Sequence, residues 1–130
     1  MTYPLEDEEQ AVVVEYLDRL KFPRFRVPNE TFTRSWKQKM KNKRLGVSAG
    51  APDLFAIITT PNGSELVAIE MKRQKGARPT TSASQKKWQK DLRNAGIRAE
   101  ICFGADEAIK LIDDLRKGKR KEWQSDKQDF

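Results

Sequence analysis

The sequence predicts one α/β domain in which helices flank a mixed β-sheet. Its 130 residues are the length of a single domain. Stretches with helical spacing of apolar residues alternate with β-rich stretches, and an Asn-Gly pair marks a hairpin between two of the latter. The predicted order is α-β-β-β-α-β-α, with the domain over residues 1–117 and a basic, polar tail over residues 118–130.

The first half of the chain is predicted to contain one helix, one short strand and a basic segment. Residues 6–20 form the helix, because acidic residues fill its first turn and its apolar residues share one face, namely Val13, Val14, Leu17 and Leu20. Prolines flank a short extended stretch over residues 24–27. Residues 33–44 are predicted to be a partly helical arm with recurring basic residues, namely Arg34, Lys37, Lys39, Lys41, Lys43 and Arg44.

The second half is predicted to begin with a β-hairpin. Its elements are strands over residues 53–59 and 65–72, a helix over 82–95, a strand over 97–103 and a helix over 106–117. Asn62-Gly63 marks the hairpin turn, and Gly96 ends the first of these helices. The apolar stripes of the two helices are Trp88, Leu92 and Ala95 in the first and Ala108, Ile109, Ile112 and Leu115 in the second.

The hairpin brings three charged residues to one face of the sheet. If its loop has four residues, Asp53 lies opposite Glu70, and if Asn62-Gly63 alone is the turn, Asp53 lies opposite Lys72. Residues opposite each other, and residues two apart on one strand, point to the same face. Either register therefore gathers the three at the open end of the hairpin. Most other positions on both faces are apolar, so both faces are predicted to be covered.

The composition limits the chemistry available to these residues. The chain has no histidine and one cysteine, Cys102, which excludes histidine bases, histidine-containing triads and an internal disulfide framework. A metal site must therefore use oxygen ligands, which favour Mg²⁺ or Mn²⁺ over Zn²⁺. The net charge of +7 favours a polyanionic partner, with nucleic acid ahead of an anionic membrane surface.

The sequence also indicates the compartment. No apolar run approaches the roughly 20 residues that a membrane span needs, and the acidic N-terminus is unlike a signal peptide. The lone cysteine fits a reducing environment. We therefore expect a cytoplasmic protein with no membrane partner and no small-molecule cofactor.

Two interpretations of the charged face remain open on the residues alone. Two carboxylates and an ammonium group at the end of a buried strand pair are costly unless they pair or bind a metal ion. A divalent cation would offset the repulsion between Asp53 and Glu70. Alternatively, Glu70 and Lys72 are exposed residues of a salt-bridged strand end.

The hairpin residues resemble a nuclease signature. Pro52-Asp53 and Glu70-Met71-Lys72, with sixteen residues between them, resemble the Pro-Asp…(Asp/Glu)-x-Lys pattern of the restriction-endonuclease-like superfamily. The flanks resemble its VRR-NUC branch, including small stand-alone phage and bacterial members, at Glu6, Glu9, Gln10, Pro28-Asn29, Leu45-Gly46-Val47, Gly50, Leu54, Ile69, Ser82, Gln85, Trp88, Leu92, Gly96 and residues 104–108. The resemblance covers approximately residues 6–115 and implies a restriction-endonuclease-like core.

The resemblance implies a role for each matching residue. Asp53 and Glu70 would ligate one or two Mg²⁺ or Mn²⁺ ions, with the Met71 carbonyl as a further ligand. Lys72 would orient the attacking water and stabilise negative charge on the phosphate. A cation at this place agrees with the physical chemistry, because it lowers the pKa of bound water and offsets charge on phosphorus.

Two supporting positions keep alternatives. Gln85 matches a family glutamine that contacts the metal water or the phosphate, but Ser82 and Gln85 also form the S-x-x-Q pattern of a helix capping box. The acid of the first helix is Glu6 or Glu9, of which Glu6 fits the family spacing better. Either acid could instead serve only to favour the start of the helix.

The resemblance suggests a homodimeric, metal-dependent DNA endonuclease acting on branched DNA such as four-way (Holliday) junctions. The basic residues from Arg34 to Arg44, together with Lys75, would neutralise DNA phosphates. One rival is a flap- or end-directed nuclease of phage recombination or repair. A second is a non-catalytic DNA-binding module, and a third is a basic RNA- or ribosome-associated protein. A phage-encoded member would act in the cytoplasm of a bacterial host.

Overall fold

The computed structural model describes residues 2–27, 36–44, 46 and 49–119. It contains helices α1 to α4 and strands β1 to β4, which are α1 (Glu6–Arg19), β1 (Arg24–Arg26), α2 (Trp36–Arg44), β2 (Leu54–Thr60), β3 (Gly63–Lys72), α3 (Ala83–Asn94), β4 (Arg98–Phe103) and α4 (Ala105–Arg116). A short 3₁₀ turn, Lys75–Ala77, lies between β3 and α3. The predicted elements follow one another as expected, and the basic arm adds helix α2 between β1 and β2. Its predicted residues 33–35 lie outside the described ranges, as does the end of the predicted tail.

The sheet is mixed, as predicted. Its strand order is β1-β2-β3-β4. The β1–β2 and β2–β3 pairs are antiparallel, whereas β3 and β4 are parallel and are joined through α3. The α/β class is therefore confirmed, and the parallel pair places the ends of β3 and β4 side by side at one edge of the sheet.

The hairpin takes the first of the two predicted registers. Thr60 pairs with Gly63, so the turn residues are Pro61 and Asn62 rather than the predicted Asn62-Gly63. Leu54 pairs with Ile69, and continuing this register by one residue sets Asp53 beside Glu70. Gly63 has a φ of +117°, a conformation that its lack of a side chain permits at the start of β3.

The core lies between one face of the sheet and the helices α1 and α4. Its side chains alternate along the strands and follow helical spacing, as predicted. The buried cluster comprises Val13, Leu17, Leu54, Ala56, Ile58, Val67, Ile69, Met71, Cys102, Ala105, Ala108, Ile112 and Leu115. A hydrogen bond from the Tyr16 hydroxyl to Asp113 joins α1 to α4.

Within the described residues, the opposite face of the sheet is covered in part. Helix α3 packs beside β4, but Ile57 in β2 is 37% exposed, and Phe55 stacks on the exposed ring of Phe25. The apolar stripe predicted for α3 is only partly buried. The buried residues of this helix are Gln89 and Arg93, because those positions face the sheet. Within the described ranges, no helix is long and apolar enough to cross a membrane.

Candidate metal centre

Three carboxylates from three elements meet at the open end of the hairpin. Glu6 begins α1, Asp53 immediately precedes β2 and Glu70 lies near the end of β3. One oxygen from each lies within 4.8 Å of the others. Glu70 is only 4% exposed, whereas the other two are partly exposed. The cluster is thus anchored in the sheet and open toward solvent on one side.

The surroundings of Glu70 disfavour its charged form. Burial and the nearby charge of Asp53 raise the pKa of Glu70 from 4.5 to about 8, with a further contribution from Glu6. Lys72 opposes this shift. A carboxylate held in this way gains from a neighbouring cation, because the cation offsets both the lost hydration and the like-charge repulsion.

The donor set fits a small divalent cation. All three side chains offer oxygen, and Mg²⁺ binds oxygens at about 2.0–2.1 Å, so oxygens a few ångströms apart can share one ion. The Met71 carbonyl faces the same side. The Lys72 carbonyl accepts the Gly104 N–H at 2.9 Å toward β4, and alternation along the strand directs the Met71 carbonyl toward β2.

Lys72 is buried and held by the start of α3. It is 7% exposed, and its Nζ donates to Oε1 of Gln85 at 2.8 Å. The same Oε1 accepts the Ser82 N–H at 2.9 Å, while the Gln85 N–H donates to the Ser82 hydroxyl. Gln85 therefore both completes the capping box and contacts Lys72. Its interpretation as a capping residue is thus compatible with its interpretation as a residue of the site.

Gly50 sets the distance between the motif loop and α3. A Cβ at this position would lie 2.6 Å from the Ser84 carbonyl carbon and 2.7 Å from the Gln85 nitrogen. Its φ of +82° also favours glycine. The backbone that leads into Asp53 thus rests directly on the first turn of α3, which carries the Gln85 partner of Lys72.

Comparisons with known proteins agree with this geometry. A profile of the VRR-NUC domain matches residues 8–106. The chain belongs to the VRR-NUC family. A solved structure of a VRR-NUC domain protein is 27% identical, with a TM-score of 0.69, and the match covers 88% of this chain and 90% of that one. VRR-NUC domains are nuclease domains of the PD-(D/E)XK kind and use divalent metal. No curated protein matches the chain.

The two acids of the VRR-NUC first helix occupy different places. Glu6 lies with the other carboxylates, whereas Oε2 of Glu9 accepts the Ala105 N–H at 3.0 Å. Glu9 is 6% exposed, and it sits at the N-terminus of α4, where a negative charge is favourable. Gly104, with a φ of +92°, makes room for it, since a Cβ there would lie 2.8 Å from Oε2.

The predicted DNA-binding residues of this VRR-NUC chain are exposed wherever their side chains are described. On α2, the exposed side chains of this set are Lys37, Lys41, Lys43 and Arg44. Lys39 lies in α2, with only its backbone described, and Arg34 lies outside the described residues. Lys75 is exposed on the 3₁₀ turn, with its Nζ 5.4 Å from the ring centroid of Phe103.

One residue beside the cluster was not singled out from the sequence. Arg73, which follows Lys72, binds two backbone carbonyls of the N-terminal segment. Its partners, Tyr3 and Pro4, are 70 and 69 residues away in the chain. Local patterns carry no signal at that separation. An arginine directly after the Glu-x-Lys motif was the sole sequence feature that could have drawn attention to it.

Proposed function

We propose that this chain is a Mg²⁺- or Mn²⁺-dependent DNA endonuclease. The observation that carries the proposal is the meeting of Glu6, Asp53 and Glu70 beside a buried lysine. A solvated salt-bridged strand end would expose its charges, whereas Glu70 and Lys72 are 4% and 7% exposed. Membership of a nuclease family supports the same activity.

The three carboxylates and the Met71 carbonyl would hold the cation. When bound, a divalent cation lowers the pKa of a coordinated water and offsets negative charge at the scissile phosphate. With the cation bound, the Glu70 carboxyl group would be ionised. The reaction is hydrolysis, in which the water oxygen adds to phosphorus, one phosphodiester P–O bond breaks and the water proton leaves to solvent or to the departing oxygen.

Lys72 would supply the positive charge that contacts the substrate. Its Nζ has three donors, of which Gln85 occupies one. The other donors would contact the attacking water and a non-bridging phosphate oxygen. Because Gln85 is fixed by the capping box, the ammonium group is positioned before substrate arrives, and this preorganisation is what electrostatic catalysis requires.

We infer that the substrate is branched DNA and that the active species is a homodimer. The exposed lysines and arginine of α2, together with Lys75, would contact DNA phosphates. Such contacts recognise the shape of the DNA backbone rather than the base sequence. Each chain carries one carboxylate cluster in its described residues. Cutting two opposed strands of a junction therefore calls for two symmetric copies.

The test is cleavage of labelled four-way junction, flap and linear duplex with Mg²⁺, Mn²⁺ or EDTA. Metal-dependent cuts, strongest on the junction, are expected. Glu70→Ala and Lys72→Ala should abolish cleavage while largely retaining DNA binding. Lys87→Ala, a change to an exposed lysine on α3, is the matched control. Preference for the flap would favour the end-directed rival, and binding without cleavage on every substrate would favour the non-catalytic one.

Two further measurements address the partners. Light scattering on the eluting protein determines whether it is a dimer, and a monomer would contradict the junction proposal. Substituting Lys41 or Lys43 by Gln should weaken DNA binding and lower the slope of log affinity against log salt by about one, since each lysine would neutralise one DNA phosphate.

A further inference from the structure

The N-terminal segment is tied to the end of β3 by one guanidinium group. Arg73 donates from Nε to the Pro4 carbonyl at 3.0 Å and from Nη2 to the Tyr3 carbonyl at 2.9 Å. The planar fork of arginine fixes two successive peptide units at once. These peptide units lie directly before Leu5 and Glu6.

The side chain of Tyr3 is held as well. A Cβ on Gly76 would lie 2.9 Å from Cε1 of the Tyr3 ring and still closer to its Cζ and Oη. The ring therefore rests on the backbone of the 3₁₀ turn at the one residue that has no side chain. We call Tyr3, Pro4, Arg73 and Gly76 the N-terminal latch.

The first turn of α1 lacks a side-chain cap in the part of the chain that the structure describes. Leu5, the N-cap residue, makes no side-chain capping bond within the described residues, and its side chain is 58% exposed. The buried contacts of α1 begin at Glu9 and continue at Val13 and Leu17. Because helix ends fray, fixing the segment directly before Leu5 and Glu6 restrains the first turn of α1.

We propose that Arg73 is a positioning residue: with the rest of the N-terminal latch it holds Glu6 against Asp53 and Glu70 and so sets the affinity for the divalent cation. This inference rests on the proposed function of the carboxylate cluster. It adds a residue that touches neither cation nor substrate but determines whether the third carboxylate is in place.

Charge alone predicts the opposite effect. Arg73 directly follows Lys72 and is itself a cation, so its removal would reduce repulsion toward a bound cation and tighten binding. Loss of the N-terminal latch instead frees Glu6 and weakens binding. The sign of the change in Arg73→Gln therefore separates positioning from simple electrostatics.

The experiment measures Mn²⁺ and Mg²⁺ binding to the full chain by titration calorimetry. Arg73→Gln should weaken Mn²⁺ binding about 10-fold, in the range typical of residues that orient metal ligands, and Arg73→Lys should recover part of the loss. Arg19→Gln, on the exposed side of α1, is the matched control. Glu6→Gln should weaken binding at least as much, and adding Arg73→Gln to it should cause little further loss, because the two act through one ligand.

A second readout needs no metal. In EDTA, Arg73→Gln and Gly76→Ala should both speed amide hydrogen exchange over residues 9–11, the first amides of α1 with helical hydrogen bonds, leaving β3 and α4 unchanged. Gly76→Ala displaces Tyr3 while keeping the charge of Arg73, so it should also weaken Mn²⁺ binding.

Three results would overturn the proposal. The first is Arg73→Gln binding Mn²⁺ as tightly as the wild type or more tightly. The second is Mn²⁺ binding that is unchanged in Glu6→Gln, although the wild type cleaves DNA. That result would refute the positioning role of Arg73 and leave the proposed nuclease activity intact. The third is a wild type that neither binds metal nor cleaves DNA, in which case the proposed function fails as well.

Discussion

We expect the stability of the wild type in EDTA to depend on pH through Glu70, and replacing Glu70 by Gln should remove that dependence. The folded state raises the pKa of Glu70 from 4.5 to about 8, so the folded protein binds this proton more tightly than the unfolded chain does. Stability is therefore greatest at low pH with respect to this group. It falls as pH rises above 4.5, and the loss is complete above about 8.

The magnitude follows from the size of the shift. One pKa unit corresponds to about 1.4 kcal/mol, so the free energy of unfolding should fall by about 4 kcal/mol between pH 5 and pH 8.5 through Glu70 alone. This is a large part of the roughly 5–15 kcal/mol that stabilises a typical domain. Glu70→Gln retains the shape of the side chain and carries no titrating proton, so its stability should change far less.

Urea unfolding at pH 5, 6, 7 and 8.5 in EDTA measures this difference. Glu8→Gln, the same chemical change at an exposed position of α1, should follow the wild type. Saturating Mn²⁺ should then restore stability to the wild type at pH 8.5 but not to Glu70→Gln, because binding to the folded state alone stabilises it. Parallel pH curves for wild type and Glu70→Gln would refute the reasoning.

Three further substitutions separate packing from the metal centre. Gly50→Ala should destabilise the protein by about 2 kcal/mol or more, and Gly96→Ala by less. Both positions have a φ near +82°, but of the two only Gly50 lies against other atoms. Equal melting temperatures for the two variants would contradict this expected difference. Glu9→Gln should lower the free energy of unfolding by about 1–2 kcal/mol, because it removes a negative charge from the N-terminus of α4. The Mn²⁺ affinity should not change, and weakened Mn²⁺ binding would argue that Glu9 is a ligand. Gln89→Met should raise stability by about 1 kcal/mol, since this fully buried amide has no hydrogen-bond partner in the described part of the chain; a destabilised variant would indicate that the amide is paired after all.

Periodic patterns made most of the fold predictable. The apolar spacing of α1 and α4 and the alternation of β2 and β3 place their residues in the core where expected, since each pattern arises within one element. The apolar pattern of α3 did not predict its buried residues, because its sheet-facing positions are Gln89 and Arg93. A hydrogen bond from Nε of Arg93 to the Ala99 carbonyl makes that arginine part of the interior, and no periodicity signals such a contact.

The candidate site was predictable only in part. The hairpin alternation brings Asp53, Glu70 and Lys72 to one face in either register, so their association needed no knowledge of tertiary contacts. The residue pattern alone left Glu6 and Glu9 as alternatives, whereas the family spacing favoured Glu6, which is the acid that lies with them. The two acids are neighbours on one helical face, and the packing of α1 against α4 directs Glu9 to the Ala105 N–H.

The amino-acid composition limits the chemistry available to this protein. The absence of histidine leaves oxygen ligands for any metal, the net positive charge favours a polyanion, and local periodicity defines the helices and the hairpin. The register of the hairpin, the double role of Gln85 and the bonds from Arg73 to the N-terminal segment depend instead on tertiary packing. These contacts join residues far apart in the chain, and their geometry depends on how whole elements pack, which no local pattern encodes.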